Sequence, residues 1–118
     1  MADGYRLTVR TGSKVERERF AELSGALDAL EARLAPLEGR RLRDAVDLRY
    51  REFSSVAQVA VRGEVAGPGR LFGAVRGGVD LRGDGSAEAY TGRVRRRLVE
   101  QRKGEDAFAA LRRALGSG

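Results

Sequence analysis

The chain of 118 residues contains no histidine, cysteine, tryptophan, asparagine or isoleucine, and it has only two prolines and one methionine. Without cysteine and histidine it cannot build a Cys/His zinc site, a haem axial pair, a disulfide or a cysteine redox centre. The same absences remove Ser-His-Asp and Cys-His nucleophilic sites, and with them the side chain whose ordinary pKa lies nearest neutrality. Catalysis would fall to carboxylates, lysine, tyrosine or arginine, and no spacing among these specifies a nucleophile, a base or a metal cluster. The expectation is a protein that is not an enzyme and holds no cofactor or metal. Long apolar runs are also missing. No stretch approaches the about 18 consecutive apolar residues of a membrane span, and the opening Met-Ala-Asp-Gly-Tyr-Arg lacks a signal peptide's apolar core. No membrane partner is expected, and the cytoplasm is the expected location.

What is present is charge, most of it arginine. Of 23 basic residues two are lysines, Lys14 and Lys103, which leaves 21 arginines against 17 acids and a net charge of +6. Scarce lysine with abundant Arg, Ala, Gly, Val and Leu is also the mark of a GC-rich coding sequence, so arginine placement carries more information than arginine number. A hydrophobic fraction of 42% places the chain among globular proteins rather than disordered tails, and its length suits a single domain, 1–118, with one core.

Residues 5–20 alternate Tyr5, Leu7 and Val9 against Arg6, Thr8 and Arg10, break at Thr11-Gly12-Ser13, and continue through Lys14 to Phe20. This pattern predicts a β-hairpin. A two-residue turn would pair Tyr5 with Phe20, a three-residue loop Arg6 with Glu18, and either register is expected to set opposite charges beside each other. Glu16 and Glu18 are expected to form surface ion pairs with Arg6, Arg10, Arg17 or Arg19. From Glu22, the positions Leu23, Leu27, Leu30 and Leu34 form one face of an amphipathic helix, which Pro36 should end because it lacks a backbone N–H. Residues 44–99 alternate with period two between turn signals, predicting an antiparallel meander of strands 44–53, 56–66, 70–82 and 86–99. Gly73, Gly77 and Gly78 within the third strand suggest a bulge, a sharp twist or close packing against a helix. A final helix should start at Gly104-Glu105-Asp106, bury Phe108, Leu111 and Leu115, and end at Gly116 after Arg112 and Arg113. The predicted fold class is α+β: an antiparallel sheet of N-terminal hairpin plus four-strand meander, with two amphipathic helices packed on one face.

Alternation sorts the meander into an apolar face and a basic one. Val46, Leu48, Tyr50, Val59, Val61, Val65, Val75, Val79, Leu81, Tyr90, Val94 and Leu98 are expected in the core. Arg49, Arg51, Arg62, Arg76, Arg82, Arg93, Arg95 and Arg97 are expected on the other face, with Asp47, Glu64 and Asp80 among them and Phe53 and Phe72 on the same side. Residues 1–39 carry 6 basic and 7 acidic side chains, whereas 40–104 carry 15 and 8, so the excess falls in the meander. Guanidinium groups spaced along strands can track a phosphate backbone through bidentate, charge-assisted hydrogen bonds. The leading expectation is a noncatalytic module that binds DNA, RNA or another polyanion with little sequence preference. Arg93, Arg95 and Arg97 would be its central contacts, flanked by Arg49, Arg51, Arg62 and Arg76. The competing expectations are an acidic protein partner or self-association as a homodimer or larger oligomer, in a structural or interaction domain. Arg82-Gly83-Asp84 and Gly67-Pro68-Gly69-Arg70 are read as turns.

Overall fold

A computed structural model of the chain describes residues 4–39, 59–67, 76–92 and 96–116. In chain order the elements are β1 (Tyr5–Thr11), β2 (Lys14–Phe20), α1 (Leu23–Leu34), β3 (Val59–Ala66), β4 (Arg76–Arg82), β5 (Ala87–Thr91), β6 (Arg97–Val99) and α2 (Ala107–Leu115). The six strands form one antiparallel sheet in the order β2-β1-β3-β4-β5-β6. The fold is therefore α+β. Because β1 pairs with both β2 and β3, the opening hairpin extends the same sheet as the later strands.

The hairpin takes the tighter of its two registers. Thr11 pairs with Lys14 and Tyr5 with Phe20, leaving Gly12-Ser13 as a two-residue turn. Positive φ occurs at Gly12, 61°, and not at Ser13, which matches the primed hairpin turn with glycine in its first central position. Leu7 and Val9 are thereby set in the core opposite Glu18 and Glu16, while Arg6, Thr8 and Arg10 point the other way. Like charges consequently stand directly opposite one another at Arg6 and Arg19, where opposite charges were expected as neighbours across the strands. Glu16 pairs instead with Lys14 and with Arg33 of α1, because it projects from the helix-bearing side of β2.

Leu27, Leu30 and Leu34 of α1 are buried against β1 and β3, and Pro36 converts the chain to a 3-10 turn at Ala35–Leu37. The N–H of Gly39 then donates to Gly85 O at 2.8 Å, tying the end of this helix to the β4–β5 loop. α2 begins at Asp106, whose side chain accepts from Ala109 N at 2.8 Å, and ends at Gly116 in the left-handed conformation. Two glycines set how closely the helices approach the sheet. A methyl group on Gly63 would meet Leu30 and Leu34 of α1, and one on Gly77 would meet Leu111 and Leu115 of α2. Of the alternatives for Gly77, close packing under a helix is the one found. Arg112 joins the helices by reaching Asp28 at 2.7 Å and Glu31 at 3.1 Å.

Three residues expected in the core lie on the opposite face. A register shift between Val59 and Val61 pairs Val59 with Arg82, and Val59 is 40% exposed. The Gly83-Asp84-Gly85 loop has three residues, so odd-numbered positions keep facing the helices from β4 into β5. Ala87 and Ala89 take the helix side, while Tyr90 and, across from it, Leu98 take the other. The expected strand 86–99 is two strands, β5 and β6, that pair with each other. The expected strand 44–53, and Val46, Leu48, Tyr50, Val75 and Val94, lie outside the described residues.

The glycines differ in what they tolerate. At Gly78 an added Cβ would overlap Gly63 O and lie 2.9 Å from both Glu64 Cα and Tyr90 Oη, whereas at Gly63 it would meet the methyl ends of Leu34 at 3.2 Å. Urea denaturation should show Gly78→Ala losing about 3 kcal/mol or more and Gly63→Ala about 1 kcal/mol. Arg113 and the backbone N–H of Arg102 both donate to Glu105, and these hydrogen bonds lower its carboxyl from 4.5 to about 2. Its contribution to stability is complete above about pH 4.5 and is lost on acidification toward pH 2. Thermal melts across this range should show a smaller fall for Glu105→Gln, which has no proton to gain, than for the parent.

Candidate functional site

On the face away from the helices the pairing register aligns side chains in rows across the strands. The middle row spans all six: Arg17, Thr8, Glu64, Gly78, Tyr90 and Leu98. On one side of it run Arg10, Arg62, Asp80 and Glu88, and on the other Arg19, Arg6, Ala66 and Arg76.

The middle row is organised by the missing side chain at Gly78. Tyr90 reaches across β4 over this gap, and its hydroxyl donates to Glu64 Oε1 at 2.6 Å. The residue is 1% exposed although it lies on the polar face. The guanidinium carbons of Arg62 and Arg96 stand 5.3 and 4.9 Å from its ring centroid, so cation–π contacts contribute to its cover. Burial, reinforced by the hydrogen bond to Glu64, pushes the phenol pKa far above its usual value and keeps it a donor. Arg76 donates to the other oxygen of Glu64, and Arg96 approaches Oε1 at 4.0 Å. In the next row Arg62 forks onto Asp80 with bonds of 2.5 and 2.9 Å, and this hydrogen bonding raises the arginine pKa. Arg82 pairs with Glu88.

These pairs divide the face by electrostatics. On β3, β4 and β5 the carboxylates Glu64, Asp80 and Glu88 each hold an arginine. On β1 and β2 the same face presents Arg6, Arg10, Arg17 and Arg19 and no acid. Neither Arg6, Arg10 nor Arg17 has a carboxylate partner among the described residues. The boundary between the halves is concave: a depression of about 360 Å³ is lined by Arg6, Arg10, Arg17, Arg62 and Arg76, with Thr8, Glu64 and Ala66. Five guanidiniums less the charges of Glu64 and of Asp80, which Arg62 holds, leave three positive charges around it. Arg10 also stands directly opposite Arg62, whose own charge Asp80 holds. Among the described residues no group of carboxylates is placed to hold a metal ion.

Of the arginines singled out by sequence, Arg62 and Arg76 border this depression, each already held by a carboxylate. Arg97 pairs with Thr91 and so takes the helix-bearing side of the edge strand, where it is exposed. Arg49, Arg51, Arg93 and Arg95, and likewise Phe53 and Phe72, lie outside the described residues. Sequence reasoning missed Arg6, Arg10 and Arg17 as site residues. Their segment has a net charge near zero, yet Glu16 and Glu18 project from the helix side of β2 and Asp28 and Glu31 belong to α1. The available signal was alternation: Arg6-x-Thr8-x-Arg10 and Arg17-x-Arg19 each form one face of a strand whose other face is apolar or acidic.

Tyr90→Phe removes the hydroxyl that fixes Glu64 while leaving the ring in place. A hydrogen bond to a carboxylate contributes about 1.5 kcal/mol, so chemical denaturation should show a loss of that order. An unchanged midpoint would mean that Arg76 and Arg96 hold Glu64 without it.

No family model, curated protein or solved structure matches this chain.

Proposed function

We propose that this chain is a noncatalytic module that binds nucleic acid by its phosphates on the sheet face opposite the helices. The single observation that supports this reading most is the depression lined by five arginines and one carboxylate, in which Arg6, Arg10 and Arg17 have no acid among the described residues to neutralise them. Guanidinium groups match phosphate geometry in two-point hydrogen bonds, and a sheet presents them at fixed spacing. Thr8 adds a hydroxyl at the centre of the set. Arg62 and Arg76 are rim contacts, because binding a phosphate there competes with Asp80 and Glu64. Nothing in the depression reads base edges in a fixed pattern, so affinity should depend on phosphate charge more than on sequence.

A second reading, self-association, is favoured by the far edge of the sheet. Leu98 on the three-residue strand β6 is 65% exposed and shares a face with the exposed Val59. It predicts a dimer that Leu98→Lys would dissociate.

Fluorescence anisotropy of labelled single- and double-stranded oligonucleotides between about 50 and 200 mM salt tests the leading reading. Binding should weaken steeply with salt, and the combined Arg6→Gln, Arg10→Gln and Arg17→Gln variant should bind more weakly and with a flatter log–log slope than the parent. Parent-like slope and affinity in a folded triple variant would refute it.

A further inference from the structure

We propose that the depression around Thr8 is a subsite for a terminal phosphate monoester, a dianionic phosphoryl group at the end of a nucleic-acid chain. The inference rests on the phosphate-binding reading above and specifies which phosphate the site takes.

The first support is charge distribution. A strand that laid a run of internal phosphodiesters along this face would need positive charge that continues across it. Among the described residues of this face, the arginines without an acid are instead Arg6, Arg10 and Arg17 of β1 and β2, and the surface beyond them is interrupted by Glu64, Asp80 and Glu88, each paired. The basic site is bounded on one side by carboxylates, which suits a group that ends there.

The second support is the number and direction of donors. Thr8 has Arg6 and Arg10 two residues away along its own strand and Arg17 directly across from it on β2. Same-face neighbours along a strand lie about 7 Å apart and paired strands about 5 Å apart, so three guanidiniums can close on one point above the hydroxyl. A monoester brings a charge near −2 and three acceptor oxygens, whereas an internal diester brings −1 and two unesterified oxygens. Three guanidiniums and a hydroxyl suit the monoester.

The third support is that Glu64, at the inner wall, is held by other partners. Tyr90 donates to one of its oxygens and Arg76 to the other, so both carboxylate oxygens are already engaged. The volume of about 360 Å³ falls at the small end of ligand sites and leaves room for a sugar behind the phosphoryl group.

The pH dependence of binding follows from what faces the phosphate. Those groups are Arg6 and Arg10 of β1, Arg17 of β2, Arg62 and Glu64 of β3, and Arg76 of β4. Arginine stays charged throughout, and the chain has no histidine. The second ionisation of the phosphate, near 6, therefore sets the dependence, with affinity falling as pH drops from about 7.5 to 5.

The test compares one oligonucleotide sequence with a hydroxyl at both ends, with a 5′-phosphate and with a 3′-phosphate, each labelled internally, alongside adenosine 5′-monophosphate titrated separately by calorimetry. At least one phosphorylated form should bind about tenfold tighter than the hydroxyl form, and Thr8→Val or Arg17→Gln should shrink that ratio toward one while leaving the melting temperature near the parent value. Equal binding of all three forms overturns the subsite and leaves the nucleic-acid reading standing. Binding of the free mononucleotide without binding of any oligonucleotide overturns the nucleic-acid reading and, with it, the chain end as the occupant of the site. Binding of none overturns both.

Discussion

A glycine in the middle of β4 decides how the polar face of this sheet is built. With no side chain at Gly78, Tyr90 lies across the strand and bonds Glu64 on β3, and the buried phenol and the half-buried carboxylate become a fixed point. Arg76 attaches to that carboxylate, and Arg62 and Arg96 stand beside the ring. Arginine is suited to this position because its planar, weakly hydrated cation can cover an aromatic face and fork onto a carboxylate at once. Half of the face is thereby neutralised, and the unbalanced charge is left on the two strands beyond it.

The opposite face uses the same device for packing. Gly63 and Gly77 leave hollows that Leu30 and Leu34 of α1 and Leu111 and Leu115 of α2 fill, so both helices lie close on the sheet at these points. The small residues Ala87 and Ala89 of β5 serve the same end under α2. Placing alanines there is what sends Tyr90 to the other face. The core packing on one side and the polar network on the other are thus two results of a single choice of parity in β5.

That parity was the part of the fold hardest to read from sequence. The two helices with their ends, the opening hairpin and the α+β class were legible, because helically spaced leucines, Pro36, Gly12-Ser13 and the Asp106 and Gly116 caps are local signals. Face assignment is not local. One extra residue in a loop or a bulge reverses every side chain after it, and Gly83-Asp84-Gly85 and the irregularity at Val59 each did so. The candidate site suffered from a different averaging. Counting charge by segment hid the hairpin arginines behind acids that project from the other face, and favoured Arg62 and Arg76, whose carboxylate partners come from neighbouring strands.

On the proposed reading, phosphate is held by Arg6, Arg10 and Arg17 and not by arginine charge in general. Arginine side-chain Nε–Hε resonances, assigned by single substitutions and followed during titration with adenosine 5′-monophosphate, distinguish the two. Large saturable shifts at Arg6, Arg10 and Arg17, with Arg112 and Arg113 of α2 unmoved, are the expected result. Small shifts spread over all arginines, or a response centred on α2, would contradict it.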